Sequence, residues 1–265
     1  MKSLLSIEWL KIKRYPTFWI LMGMFAVLLP LWNYCISSGL MHIGGDNNGI
    51  NPLASQYSFP EVWGNVGYWG SYFIWFISML VIILVTNEFT FRTNRQNVID
   101  GQTRLQYFHS KMLLAVVLAV VCTVYLYITG ILFGLGNSGS FGDAFSHLSG
   151  VLYFFVLSIN YLGFAMLLGF LVKKSGLAIG LFMLYTFIIE NILKSVINHY
   201  SGTPWGNLLP LQASDELLPL PLTNMAKTML GMEQHISNTT YILVSLGWCV
   251  AYYLTGRRLM QKTDW

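Results

Sequence analysis

The sequence predicts an all-α integral membrane protein with six membrane-spanning helices, and three observations predict it. Of the 265 residues, 55% are hydrophobic and only 10% are charged, where an ordinary soluble domain carries about 25% charged residues. The mean hydropathy is +0.56. The charged residues fall between apolar runs long enough to cross a bilayer. A chain this long and this apolar cannot keep its surface wet, so lipid is the solvent for much of it.

The first element, residues 1–15, reads as a helix lying in the inner membrane interface. Leu5, Trp9 and Ile12 form an apolar stripe at helical spacing, although Ile7 and Leu10 point elsewhere. Lys11, Lys13 and Arg14 are placed to meet lipid phosphates, and Pro16 separates this helix from the first span. The other reading of these residues is a simple extension of that span. The first apolar run begins about sixteen residues in, is too long for a signal h-region and lacks a small-x-small cleavage site, so it is expected to be retained.

A spanning helix needs roughly 20 apolar residues. Residues 17–38, 68–86, 112–135, 151–172, 177–197 and 240–255 qualify, the last being short. Trp19, Trp69, Tyr72 and Trp248 stand near span ends, as headgroup anchors do. Pro30 should bend or open the first span, and Gly163, Gly169, Gly176 and Gly180 thin the fourth and fifth for close helix approach. With the N-terminus in the cytoplasm, thirteen of the 15 Lys and Arg lie inside: Lys2, Lys11, Lys13, Arg14, Arg92, Arg95, Arg104, Lys111, Lys173, Lys174, Arg257, Arg258 and Lys262. Only Lys194 and Lys227 remain outside. The positive-inside rule therefore predicts a multi-pass protein with both termini cytoplasmic.

The segment 87–111, between the second and third spans, carries the most information. Asp100-Gly101 signals a turn. Thr103 followed by Gln106 is a capping box that starts the third helix. Before the turn, Glu88 to Ile99 continues or restarts a helix with Arg92 and Arg95 about one turn apart. The predicted shape is helix, tight turn, capped helix, which is suited to receiving a push from a cytoplasmic partner; the alternative is a plain polar connection with topogenic arginines. On the other side, residues 39–67 and 136–149 are Gly-rich loops. Residues 198–238 hold apolar runs too short to span, broken by Pro210, Pro219 and Pro221, and read as a re-entrant external segment.

Candidate chemistry is sparse. There is no phosphate-binding G-x-x-x-x-G-K-[ST] loop, no H-E-x-x-H and no G-x-S-x-G elbow. The five histidines lack ligand spacing, and Cys35, Cys122 and Cys249 fall in or at the ends of apolar stretches, where an odd cysteine count argues for packing duty. Neither catalytic nor metal-ligating residues are expected. The basic residues do not cluster on one soluble face, so nucleic acid is not an expected partner. Glu190 is the acid inside an apolar run, and an intramembrane ionisable residue is a functional candidate by default. Glu190 stands roughly 20 Å along the span from Leu177 and Lys194 follows at the favourable i,i+4 spacing, so a neutralised pair near the outer mouth accounts for both.

The elbow resembles the first cytoplasmic loop of ATP-binding-cassette type-2 family permeases. Glu88 stands for the family's acid at the end of the second span. Asp100-Gly101-Gln102-Thr103-Arg104, with Phe108 and Lys111, stands for its progression into the third. Ile7-Glu8-Trp9-Leu10-Lys11-Ile12-Lys13-Arg14 matches its acidic-then-basic interfacial helix. The likeness covers the layout of the whole chain and motifs only in these two stretches. It implies a permease of an ATP-driven exporter in a bacterial cytoplasmic membrane, docked on two copies of a separate ATPase and paired with a second permease. Mg-ATP would be bound by that ATPase, with no cofactor in this chain. The coupling residues would be Glu88, Arg92, Arg95, Asp100, Gly101, Thr103 and Arg104; Trp9, Lys11, Lys13 and Arg14 would seat the interfacial helix. Pro30, Glu190 and Lys194 would belong to the pathway or outer gate. Size and short loops look like small drug-, peptide- or bacteriocin-immunity exporters, with an amphipathic cargo. The competing expectations are a mechanotransmitting membrane subunit that moves nothing, and a membrane-embedded enzyme built on Glu190.

Overall fold

The computed structural model describes residues 2–40, 54–93, 96, 99, 101–138, 142–145, 148–220 and 236–262. In chain order they form α1 (Lys2–Ile12), α2 (Pro16–Ser37), a 3-10 turn (Ala54–Tyr57), α3 (Val62–Thr90), α4 (Arg104–Ser138), a second 3-10 turn (Gly142–Phe145) and α5 (Ser149–Val172). There follow α6 (Ser175–Leu184), a π-helical turn (Tyr185–Ile189), α7 (Glu190–Ser201), a 3-10 turn (Pro204–Leu208), α8 (Gln212–Asp215) and α9 (Asn238–Lys262). No strand occurs among the described residues.

Five helical stretches are long and apolar enough to cross a membrane: α2, α3, α4 up to Asn137, α5, and the continuous run Ser175–Ser201. The sixth predicted span lies within α9, a single 25-residue helix about 37 Å long. Its tyrosines, threonines and Arg257-Arg258 keep it outside that apolar set. Several helices outrun their apolar cores. The α3 helix begins six residues before Tyr68 and ends four after Thr86, while α4 starts at Arg104, well before Met112. Glu88 and Lys111 are therefore helical residues, and the elbow proper is the chain between them.

α5 is the centre of the bundle, packed against α3, α4 and α9. Its glycines explain how it fits. A Cβ on Gly169 would lie 3.1 Å from Val85, and one on Gly163 would lie 3.3 Å from Tyr252. At Gly150 it would meet the backbone of Trp63 at 2.6 Å, so only glycine allows that approach. The expectation for Gly176 and Gly180 does not hold: a Cβ at either would have nothing within 4 Å, because these glycines face away from the packed interior. The opposite kind of surface runs along α4, where Val116, Val120, Val124, Ile128 and Leu132 are exposed. An apolar stripe of that length on the outside is what hydrocarbon solvates and water does not.

Pro30 sits within α2 without ending it. Proline lacks the N–H that would bond the carbonyl four residues back, and the hydroxyl of Tyr125 on α4 donates to that carbonyl, on Ala26. The break in one helix's ladder thus becomes a tie to its neighbour. Close by, the buried Asn33 donates to Leu29 O at 2.7 Å and accepts from Tyr57 Oη at 2.9 Å. This pins the first 3-10 turn to α2.

Candidate functional site

The elbow begins where α3 stops. Phe91 N–H donates to Asn87 O at 2.9 Å, and Arg92 turns the chain with φ 56°, in the left-handed region. Thr93, Gln96 and Ile99 are helical and exposed, which fits a restarted helix. Arg95 and Asp100 lie outside the described residues. Gly101 has φ 93°, a conformation glycine adopts without penalty. The capping box then closes: Thr103 N–H donates to Gln106 Oε1 at 2.9 Å, and Gln106 N–H donates to Thr103 Oγ1 at 3.2 Å. Two of the donors left open at the start of α4 are satisfied reciprocally. Arg92, Gly101 and Thr103 are exposed and Arg104 is half-buried, so these described residues form the outward face of the elbow.

Its base is closed by a cluster of four charges from three helices. Lys111 Nζ on α4 stands 2.6 Å from Glu8 Oε2 on α1 and 2.5 Å from Glu88 Oε1 on α3. Lys11 Nζ on α1 completes the cluster, 3.2 Å from Glu88 Oε1 and 3.8 Å from Glu8 Oε1. Ser110 Oγ donates to Glu8 Oε1 at 3.3 Å, and Lys111 Nζ lies 5.6 Å from the centroid of the buried Tyr107 ring. Glu8, Glu88 and Lys111 are all buried. Charges leave water at heavy cost unless paired and hydrogen-bonded, and here, among the described residues, two acids meet two lysines.

Aromatic packing extends this clamp into the bundle. Phe108 lies 5.6 Å from Phe170 on α5 and 5.5 Å from Tyr253 on α9, centroid to centroid. A Cβ on Gly256 would come within 2.8 Å of the Phe108 ring. His109 Nε2 is 3.0 Å from Tyr253 Oη, and Asn87 Nδ2 donates to Tyr15 Oη at 2.8 Å. A force on the elbow therefore reaches α1, α3, α4, α5 and α9 through direct contact.

α1 turns one side to the bundle and another outward, which is compatible with an interfacial helix. Its buried side carries Glu8 and Ile12, while Trp9 is 51% exposed, because the inward face is chosen by the ion pairs as well as by apolarity. Lys13 and Arg14 are exposed. Sequence reasoning named Lys11 and Glu88 among the site residues and omitted Glu8 and Lys111. The signal available for those two was an acid in the first helix and a lysine at the edge of the third apolar run, with nothing local to join them.

The remaining candidates are at the other end of the bundle. Glu190 and Lys194 do not form an ion pair with each other. Glu190, fully buried, accepts backbone N–H bonds from Leu211 at 2.7 Å and Gln212 at 3.2 Å through Oε1. Its Oε2 has no hydrogen-bond partner among the described residues. Lys194 instead binds Glu216 Oε1 at 2.5 Å and Gln212 Oε1 at 2.9 Å. The reason is the chain after α7, which folds back and brings its own acids and amides to both side chains. Asn160 Nδ2 on α5 donates to Pro210 O at 2.7 Å, and Trp248 Nε1 on α9 donates to Leu208 O at 3.0 Å. At Gly206 a Cβ would be 2.5 Å from Lys194 O, so the returning turn lies directly on α7. Pro30 is elsewhere, on an apolar groove with Tyr34 and Leu132. Residues 221–235 of the predicted re-entrant segment, with Lys227, lie outside the described residues.

The described residues thus form a helical bundle with an apolar exterior, a capped elbow and a cluster of paired charges at its base. The family model for "ABC-2 family transporter protein" matches residues 4–189, which takes in α1, the clamp, the elbow and the helices through the π turn. The chain belongs to this family: it is a multi-pass membrane permease subunit of an ATP-binding-cassette transporter and works with an ATP-binding-cassette ATPase subunit. Comparison with curated proteins returns no match.

Proposed function

We propose that this permease exports a small amphipathic peptide- or drug-like compound from the cytoplasm or inner leaflet of a bacterial cytoplasmic membrane, energised by ATP hydrolysis on two copies of the partner ATPase. The observation that carries this reading is the clamped elbow, rigid at its base and polar at its tip. The tip residues Arg92, Gly101, Thr103 and Arg104, with Arg95 and Asp100, would seat in a groove of the ATPase. The clamp of Glu8, Lys11, Glu88 and Lys111 would pass the movement to three helices at once.

The topology proposed is six spans, α9 being the sixth, with both termini cytoplasmic. The 13-to-2 division of Lys and Arg supports it. Helix length supports it too, since α3 and α4, at about 43 and 52 Å, exceed the ~30 Å hydrocarbon core. The elbow ends of both helices would then stand clear of the acyl chains, where a four-charge cluster is tolerable. Residues 198–220 and 236–238 would form the described part of the re-entrant outer segment, and a second permease would complete the pathway. Pro30, Glu190 and Lys194 would shape its outer half.

Purification in mild detergent tests the assembly: an ATPase should co-purify in stoichiometric amount, and its absence would defeat the reading. Within that complex Arg104→Ala should lower ATPase activity several-fold while the bundle's melting temperature stays unchanged. Unaltered turnover would remove the elbow from coupling.

A further inference from the structure

We infer that the end of the bundle opposite the elbow holds a binding cavity for an organic cation with an apolar body, formed by α3, α5, the π turn, α7 and residues 212–220. It deepens the permease reading by naming a cargo class, and it rests on that reading for the direction of travel.

The cavity has a volume of about 520 Å³, within the range of sites that enclose a drug-sized molecule. One wall is aromatic. Tyr68, Tyr72 and Trp75 follow one another along α3, with centroids 5.3 Å apart for the first pair and 5.4 Å for the second. Phe187, on the π turn, meets Trp75 edge-to-face at 4.1 Å. Ring faces of this kind attract cations and bury apolar bodies.

The opposite wall sets the sign of the charge. Lys194 reaches the cavity, yet its ammonium is already held by Glu216 and Gln212, so it offers little to an anion. Asp215 also lines the cavity. Both its carboxylate oxygens accept from the Tyr161 hydroxyl, at 2.9 and 3.0 Å, and it has no ion-pair partner among the described residues. Burial pushes the Asp215 carboxyl up to about 7, and Lys194, itself paired with Glu216, offsets its charge only without contact, so compensation by a direct ionic partner is still lacking among the described residues. A cation entering between Asp215 and the aromatic wall would supply that compensation.

The π turn helps to build the pocket. Such turns release backbone carbonyls and recur at functional sites. Here Asn191 Nδ2 donates to Thr186 O at 3.1 Å and Phe187 O at 3.2 Å, which steadies the turn that presents Phe187.

The test uses the full-length chain purified with its ATPase into lipid nanodiscs. Saturable binding of tetraphenylphosphonium is compared with that of tetraphenylborate, an anion of the same shape, after subtracting uptake by protein-free discs. The phosphonium should bind at least tenfold more tightly, Asp215→Asn should weaken it at least tenfold, and Tyr72→Ala should weaken it several-fold. Should Asp215→Asn fail to accumulate, Tyr72→Ala and the cation-to-anion ratio decide. Equal binding of the two ions, or unchanged binding in both variants, overturns the inference. If no ATPase accompanies the chain, the permease reading falls, and the same measurement on the chain alone still judges the cavity.

Discussion

The two ends of this bundle solve the problem of charge in an apolar protein in opposite ways. At the elbow, Lys111 lies between Glu8 and Glu88 with Lys11 alongside, a balanced set sealed by aromatic rings. At the far end, among the described residues, one lysine, Lys194, stands near three acids, Glu190, Asp215 and Glu216, of which Asp215 and Glu216 line a cavity with it. The first is closed, which suits a joint that must move as one piece. The second is open, and its acids outnumber its lysine among the described residues, which suits a site for a cationic ligand. The family match ends at residue 189, so the whole elbow clamp lies inside it and the acids of the far end lie outside it. The aromatic wall of the far-end cavity, Tyr68, Tyr72, Trp75 and Phe187, lies inside the match as well.

Removing the central cation at each end should expose this difference most strongly. Lys111→Met leaves two buried carboxylates facing each other and should cost about 3–5 kcal/mol, read as lost yield or a lower melting temperature in detergent. Lys194→Met should cost less than half as much, because its side chain and that of Glu216 keep some contact with solvent. Equal losses would erase the distinction between a closed and an open cluster. Gly206→Ala should come next. It pushes the returning turn off α7, costing about 1–3 kcal/mol, and should weaken cation binding at the far end while ATPase association at the elbow is untouched.

Between the two ends, Tyr125→Phe removes the donor that satisfies the Ala26 carbonyl opened by Pro30. A loss of about 1–3 kcal/mol is expected. If Pro30→Ala is introduced as well, the helix regains its own donor and much of that loss should return, a rescue that thermal unfolding can read. The smallest effect belongs to Thr103→Ala, about 1 kcal/mol for a lost helix cap. Hydrogen exchange at Thr103 to Gln106 should rise there with no change at the far end.

Much of the scaffold was legible because it depends on local quantities. Long apolar runs, the capping box of Thr103 and Gln106, the break at Pro16 and the turn at Gly101 each follow from a few neighbouring residues, and all are present. The errors share a cause. The Glu190–Lys194 pair obeyed helix spacing, but in the fold Leu211 and Gln212 capture Glu190 while Glu216 captures Lys194. Gly176 and Gly180 satisfied a composition rule for close packing but face outward, whereas Gly150 and Gly206 stand against backbone and carried no mark in the sequence.

By itself, then, the sequence determined a membrane-embedded helical chain, where its elbow would turn, and that Glu88 and Lys111 would bracket it. Hydropathy and capping act over a turn or two of chain, so one dimension suffices to read them. Only the tertiary structure decided which charges meet. Glu8 reaches Lys111 across 103 positions, and Asp215 reaches Tyr161 across 54. Burying a charge is tolerable only where a partner stands within a few ångströms, and that distance is set by how the helices pack.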